Sequence, residues 1–147
     1  YLVRLHQSAA AYLEQQHRGG AIVTAWPLSD ALRRPEFGYV TRRLPVKGLP
    51  DFSPSSLARV EAGGAEWFVL YSRDLEPPLS LSRIPLAGAL RRAYWNWEPP
   101  VSGSDLESRL NLRRVARWER NGLWAEVHRA APGGGTIRNP DSDSLTR

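Results

Sequence analysis

The sequence contains neither cysteine nor methionine. The absence of cysteine excludes disulfide scaffolds, thiolate zinc sites, iron–sulfur clusters and cysteine nucleophiles, because each of these needs a sulfur from that side chain. Methionine is absent even from the first position, which is Tyr1. We therefore expect the chain to be a mature product or a part of a longer protein.

Long apolar runs are absent as well. The longest is Trp67–Tyr71, which falls far short of the roughly 18 residues that a membrane-spanning helix requires. The first residues, Tyr1–Arg4, lack the basic-then-apolar order of a secretory leader. The sequence thus predicts a water-soluble piece, whether or not a longer parent chain enters a membrane.

Lysine is nearly absent, since Lys47 is the only one, and arginine supplies the other cations. The formal charge of +5 divides into +2 for residues 1–70 and +3 for residues 71–147, with both signs interleaved. A protein that follows a phosphate backbone usually concentrates its cations along one stripe. The charge pattern therefore does not favour a nucleic-acid partner.

The first third of the sequence alternates helical and extended patterns. Apolar residues recur at helical spacing over Tyr1–His17, and the β-branched run Ala21–Trp26 then predicts a buried strand. Ser29 or Asp30 can cap a short helix that Pro35 ends.

The alternation continues through the middle of the chain. Leu44–Lys47 predicts a weaker strand, and its proline favours an edge position. Ser53-Pro54 is typical of a helix start, with serine as the cap and proline in the first turn. Trp67–Ser72 is continuous, aromatic and β-branched, which predicts a central strand. Strands that alternate with helices in this way indicate a parallel sheet with right-handed crossovers.

A β-hairpin is predicted at residues 115–128, around Asn121-Gly122. Asn-Gly suits a two-residue type I′ turn, because both positions need a positive φ. This register sets Arg117 opposite Glu126 as an ion pair on one face, and a one-residue slip would undo the sorting of apolar from charged residues. The partners on the mostly apolar face are Arg120 with Leu123, Trp118 with Ala125, and Ala116 with Val127.

These elements predict a three-layer, Rossmann-like α/β domain with a mainly parallel sheet and a C-terminal antiparallel hairpin. We expect it to cover residues 1–130, with a further helix over Leu86–Trp95 and a loop with a short helical turn over Ser102–Leu112. Proline, glycine, serine and aspartate dominate residues 131–147, which predicts a flexible tail.

Four residues are candidates for ligand binding because they lie near the carboxyl ends of predicted parallel strands, where open α/β sheets bind ligands. They are Trp26, Ser29, Asp30 and Glu36. The competing interpretation of Ser29 and Asp30 is that they only cap a helix.

No motif in the sequence predicts a catalytic residue, a metal site or a cofactor. The three histidines, His6, His17 and His128, are too scattered to form the clustered ligand set of a metal site. We expect each of them to be a surface or capping residue.

Three segments together resemble a known family. They are Thr24–Val40, with its Trp-Pro and Phe-Gly-Tyr-Val sequences, then Trp67–Asp74, and Arg117–Val127. Their order and spacing are similar to the soluble C-terminal domain of bacterial multi-spanning glycosyltransferases, which are themselves similar to the dolichyl-phosphate-mannose–protein mannosyltransferase family. The likeness covers Tyr12 to Arg129.

The resemblance implies a domain on the extracytoplasmic (periplasmic) face of the cytoplasmic membrane. Its partners would be the transmembrane part of the parent chain and a polyprenyl-phosphate-linked sugar or the acceptor. In that family the acidic catalytic residues lie in an early extracytoplasmic loop that this sequence lacks, so no catalytic residue carries over. We expect a non-catalytic accessory domain that is monomeric when isolated.

Two alternatives stay open at this point. One is a free-standing Rossmann-like module that binds a small polar ligand. The other is an enzyme that uses Asp30 or Asp74 as its base.

Overall fold

A computed structural model describes residues 2–61, 65–72 and 101–131 of the chain. In those residues the chain forms α-helices and β-strands in alternation, followed by a hairpin. The helices are α1 (Leu2–Gln16), α2 (Leu28–Arg33), α3 (Pro54–Glu61) and α4 (Gly103–Leu110), with a 3₁₀ turn at Pro35–Phe37. The strands are β1 (Ala21–Ala25), β2 (Val46–Leu49), β3 (Ala65–Tyr71), β4 (Leu112–Arg120) and β5 (Leu123–Ala130).

The strands form one open mixed sheet in the order β2-β1-β3-β5-β4. β1 is parallel to both β2 and β3, whereas β5 is antiparallel to both β3 and β4. The prediction of an α/β fold in which a C-terminal hairpin extends parallel strands is confirmed. β2 lies at one edge of this sheet, as predicted from Pro45, which directly precedes the strand.

The core is built on β1 and β3, the two strands with the most continuous apolar sequence. Every residue from Trp67 to Tyr71 is buried, and so is each residue of β1 from Ile22 to Ala25. β3 lies between β1 and β5, so both of its edges are paired and both of its faces are covered. The predicted central position of this strand is therefore confirmed.

Helix α1 covers one face of the sheet. Its buried stripe contains Leu5, Ala9 and Leu13, at the spacing expected of an amphipathic helix. The Tyr12 and Trp118 rings meet edge to face with their centroids 5.7 Å apart, which places the first helix against the last hairpin.

Helix α4 covers the opposite face at the hairpin. Side chains alternate along a strand, so Glu126 and Ala125 of β5 point to opposite faces. A Cβ on Gly103 would lie 2.7 Å from Glu126 Oε2, so a larger residue at this position would have to displace the Glu126 carboxylate.

The sequence predicted only a loop with a helical turn in this region, which is wrong, because α4 is a helix of eight residues. Ser102 caps it by accepting a hydrogen bond from the backbone N–H of Asp105 at 3.2 Å. The apolar pattern was too sparse to indicate a helix, since Leu106 is its only buried residue.

The hairpin forms in the predicted register. Asn121 and Gly122 have φ values of 52° and 77°, as a type I′ turn requires. Arg117 lies opposite Glu126, and Trp118 lies opposite Ala125. Trp118 is half-buried, because β4 is an edge strand of the described sheet; the Tyr12 ring of α1 packs against it.

We expect Trp118→Ala to lower the free energy of unfolding by about 1–2 kcal/mol, below the cost of about 3–5 kcal/mol for a fully buried tryptophan. Urea unfolding of this variant, of Tyr12→Ala and of the double variant measures the contact between the rings. A double-mutant cycle should give a coupling of about 0.5–1.5 kcal/mol. A coupling near zero would show that α1 does not pack on the hairpin in solution.

Other predictions meet different outcomes. Residues 38–41, whose sequence predicts the start of an extended segment, form no strand, and no helix in the described part of the chain is long and apolar enough to cross a bilayer. The predicted helix at Leu86–Trp95 and most of the predicted tail lie outside the described residues.

Candidate functional site

Trp26 stands at the edge of the sheet where the parallel strands end. Its backbone N–H donates to the carbonyl of Leu49 at 3.2 Å, at the end of β2. From the end of β3, the Tyr71 hydroxyl donates to the carbonyl oxygens of Trp26 (2.7 Å) and Ala25 (3.2 Å). The backbone of Trp26 is thus fixed from both neighbouring strands, while 59% of the residue remains exposed.

The hairpin reaches the same edge, where Trp124 of β5 is hydrogen-bonded to Ser72, the residue after β3. The backbone N–H of Ser72 donates to the Trp124 carbonyl at 2.9 Å, and the Trp124 N–H donates to Ser72 Oγ at 2.8 Å. The guanidinium of Arg117 lies over the Trp124 ring, 5.8 Å from its centroid. We call the edge formed by Trp26, Tyr71, Ser72 and Trp124 the carboxyl edge.

The other candidates from the sequence have different surroundings from Trp26. Ser29 is buried and faces Gly48 of β2, where a Cβ would lie 3.3 Å from the Ser29 hydroxyl. Asp30 pairs with Arg33 at 3.8 Å. Glu36 lies exposed in the 3₁₀ turn.

The expectation that Ser29 or Asp30 caps α2 is wrong. The helix begins at Leu28, two residues earlier than a Ser29 cap would place its start, so Pro27 occupies the cap position and no side chain caps the helix. Asp30 instead lies in the first turn, where its negative charge interacts favourably with the positive end of the helix dipole.

Sequence reasoning missed a polar cluster around Asp51, just after β2. Asp51 Oδ1 accepts hydrogen bonds from the Ser53 hydroxyl at 2.5 Å, the Ser53 N–H at 3.0 Å and the Ser56 hydroxyl at 2.6 Å. Ser53 in turn caps α3 by accepting from the Ser56 N–H, as predicted. The Asp-x-Ser-Pro sequence was the signal from which this cluster could have been predicted. Its hydrogen bonds stabilise the start of α3.

A second missed cluster lies between β4, β5 and α4, with a buried centre of Glu126 and His128. Glu126 accepts hydrogen bonds on Oε1 from Arg117 and, at 2.9 Å, from Arg114. Its Oε2 lies 3.1 Å from His128 Nε2. On the other side of the ring, His128 Nδ1 lies 3.4 Å from Glu107 Oε1 of α4. We call these five residues the charge cluster.

The charge cluster holds an ionised carboxylate away from solvent. Burial acts to raise the pKa of Glu126, but hydrogen bonds from Arg114, His128 and Arg117 outweigh it and lower that pKa below its ordinary value. Glu126 and His128 are both buried, so no substrate reaches this carboxylate–imidazole pair in the described structure. The arrangement is suited to joining α4 to the hairpin rather than to catalysis.

The prediction of surface positions for the histidines is wrong, because all three are buried. The His6 and His17 rings pack against the aromatic rings of Tyr71 and Trp67, and the His128 ring lies between the carboxylates of Glu126 and Glu107. His6 lies 4.4 Å from the ring of Tyr71, and burial lowers the pKa of His6 to about 4. His17 also has the predicted capping contact, since its Nε2 lies 2.9 Å from the Gly20 carbonyl oxygen.

Residues 2–61, 65–72 and 101–131 contain no group of three histidine or acidic side chains arranged to hold a metal ion. At the carboxyl edge, Trp26 presents an exposed aromatic side chain on a backbone that hydrogen bonds hold in place. Comparison with protein-family models, with curated proteins and with solved structures gives no match.

Proposed function

We propose that this chain is a non-catalytic accessory domain of a membrane glycosyltransferase that uses a polyprenyl-phosphate-linked sugar. Its proposed place is the extracytoplasmic face of the cytoplasmic membrane, against the transmembrane part of its parent chain. The observation that carries this proposal is the meeting of the three family-like segments at the carboxyl edge. Trp26, Tyr71 and Trp124 come from three separate segments. The Tyr71 hydroxyl donates to the Trp26 carbonyl, and the next residue, Ser72, accepts from the Trp124 N–H.

The domain's proposed role is to hold a sugar against Trp26. A tryptophan ring offers a large apolar face with little conformational freedom to lose, which suits it to stacking on a ring of comparable size. The hydrogen bond that Trp26 donates to Leu49 and the one that it accepts from Tyr71 fix its backbone before any ligand arrives. Pre-organisation of this kind reduces the entropic cost of binding.

The finer architecture that we propose is a three-layer, Rossmann-like one. The order β2-β1-β3 requires the chain to cross in one direction after β1 and in the other after β2. Right-handed crossovers then place α2 and α3 on opposite faces of the sheet. The same order makes the gap between β1 and β3 a topological switch point, where ligands bind in folds of this type.

A binding experiment tests the role of Trp26. Titration calorimetry with a short-chain polyprenyl-phosphate mannose should give saturable binding that Trp26→Ala weakens at least fivefold. Phe37→Ala is the matched control, because Phe37 is also an exposed aromatic, at 50%, but lies away from the carboxyl edge. We expect the dissociation constant of the control to stay within twofold of that of the unmodified 147-residue chain. Equal affinity for all three proteins would contradict a stacking role for Trp26.

The reading frame upstream of Tyr1 tests the class of protein. Several apolar segments, each long enough to span a bilayer, would support the proposal. A stop codon, or a soluble domain in their place, would refute it.

The switch point also favours a second candidate, a free-standing module that binds a small polar ligand there. Trp26 and Tyr71 flank that gap, and a ligand bound at it would raise the melting temperature by mass action. Thermal shift with a panel of nucleotides and free sugars distinguishes the two candidates. A shift with a nucleotide, together with a stop codon upstream, would favour this module.

A further inference from the structure

A second feature lies at the opposite end of the same strands. A cleft of about 350 Å³ separates the end of α1 from the residues that lead into β2. Arg18 lines one side of it, and Arg42 and Arg43 line the other. The described part of the chain contributes no carboxylate to this lining. We call this feature the basic cleft.

The wall of the basic cleft that carries Arg42 and Arg43 is fixed at both ends. Glu14 of α1 accepts hydrogen bonds from the Thr41 hydroxyl and, at 2.6 Å, from the Thr41 N–H. Further along, the Leu44 N–H donates to the Leu32 carbonyl at 3.1 Å. The two arginines therefore project from a segment that is anchored before and after them.

The opposite wall is the end of α1. The His17 N–H continues the helix by donating to the Leu13 carbonyl at 2.7 Å, and the His17 ring contacts the Gly20 carbonyl. His17 is buried, so it anchors the turn from which exposed Arg18 projects. Gly19, with no side chain, keeps the cleft open beside Arg18.

The arginines of the basic cleft differ in their partners from several others. Arg33, Arg114, Arg117 and Arg129 all form ion pairs with carboxylates. Within the described residues, Arg18, Arg42 and Arg43 form none. A cleft that gathers three such cations is electrostatically complementary to an anion.

Glu14 is a carboxylate close enough to interact with Arg42, and its single charge offsets only part of the three positive charges. Hydrogen bonds from the side chain and backbone of Thr41 lower the pKa of Glu14, with a smaller contribution from the charge of Arg42. Glu14 therefore stays ionised and bound to Thr41, which leaves the guanidinium groups to an outside ligand.

We propose that the basic cleft binds a phosphoryl group. Guanidinium groups match phosphate oxygens through paired N–H donors, and two or three of them around one anion give both affinity and orientation. The cleft volume accommodates a phosphate or diphosphate group. The cleft lies at the amino ends of β1 and β2, about 17 Å from Trp26 for a five-residue strand. It is therefore separate from the carboxyl edge, and the proposal goes beyond the proposed function.

The phosphoryl group has two possible sources, a lipid headgroup or a free phosphorylated molecule. Two probes separate them. NMR titration of the 147-residue chain with sodium pyrophosphate reports on a free anion, and sedimentation with phosphatidylglycerol vesicles, against phosphatidylcholine vesicles, reports on a headgroup. Saturable shifts at the cleft with pyrophosphate but no vesicle binding assign a free ligand. Vesicle binding that pyrophosphate competes away assigns a headgroup.

The test variant is Arg42→Gln with Arg43→Gln, and the control is Arg4→Gln with Arg113→Gln. Both remove two exposed positive charges, so they match in net charge and differ only in position. We expect the cleft variant to weaken binding at least tenfold, and the control to stay within twofold. Arg42→Lys with Arg43→Lys, which keeps the charge but not the paired donors, should fall between them.

Two results would overturn the proposal. One is the absence of saturable binding to either probe. The other is an equal loss of affinity in the cleft variant and the control, which would show a diffuse charge effect without a site. Melting temperatures of all variants should agree with that of the unmodified 147-residue chain, because the four substituted arginines are exposed.

Discussion

Glu126→Gln should lower the free energy of unfolding by about 2–3 kcal/mol at neutral pH, the range for losing charge-assisted hydrogen bonds at a buried group. Glu126 is 3% exposed and holds Arg114, Arg117 and His128 together. Glutamine keeps the shape but removes the charge that both guanidinium groups face. Urea unfolding monitored by tryptophan fluorescence measures the loss.

The chain contains a matched control in Glu119. Glu119 also accepts a hydrogen bond from Arg117, at 2.7 Å, but 53% of its side chain is exposed. Exposed ion pairs contribute at most about 1 kcal/mol, because water and salt screen them. We expect Glu119→Gln to cost less than about 0.5 kcal/mol on the same principle. Similar losses for the two variants would mean that the charge cluster does not hold α4 to the hairpin.

Acidification should destabilise the protein through His6, in a pH range set by its pKa. In the folded chain that pKa is lowered to about 4, from an ordinary value of 6.5, because burial disfavours the charged ring. His6 Nε2 has no hydrogen-bond partner in the described structure. Below pH 6.5 the unfolded chain therefore binds a proton that the folded chain does not.

The resulting loss grows from pH 6.5 down to about pH 4 and amounts to about 3 kcal/mol in full, since each pKa unit corresponds to about 1.4 kcal/mol. His6→Phe should abolish this part of the pH dependence. The pH dependence due to Glu126 appears in a lower range, below pH 4.5. Its pKa in the folded chain lies below the ordinary value of 4.5, so its stabilisation is lost as the pH falls from 4.5 and the carboxylate is protonated. NMR titration of the His6 ring gives the pKa directly, and a value at or above 6 would contradict the prediction.

Local sequence was sufficient for the elements in which short-range chemistry decides the structure. Asn121-Gly122 determines the hairpin turn, and its register follows from sorting Arg117 and Glu126 away from Trp118. The run Trp67–Tyr71 was equally informative, because a fully apolar, β-branched stretch has no solvent face and must lie at the centre of a sheet.

The candidate site was predicted only in part, because side-chain surroundings depend on distant segments. Trp26 does stand at the carboxyl edge, but its exposure and its fixed backbone depend on Leu49 and Tyr71. The charge cluster was missed because its members come from three elements, and only Arg117 with Glu126 could be paired from the sequence. Likewise, the burial of His6 depends on Tyr71, 65 positions later in the sequence.

The basic cleft shows the same limit in another form. Arg18 and Arg42 are 24 positions apart in the sequence, and each looks like an ordinary surface cation. The parallel pairing of β1 with β2, together with the hydrogen bonds from Thr41 to Glu14, brings their flanking segments together.

The packing of α1 on β4 and β5 has a consequence for synthesis on the ribosome. The first helix finds part of its partner surface only after residue 130 has been made, since β5 ends there. Contacts between such distant segments slow folding, because a long loop must close before they form. A nascent chain halted before Leu112 would leave β3 with one unpaired edge and Tyr12 without its aromatic partner. Emergence of β5 from the ribosome, rather than emergence of the first strands, should therefore coincide with acquisition of protease resistance.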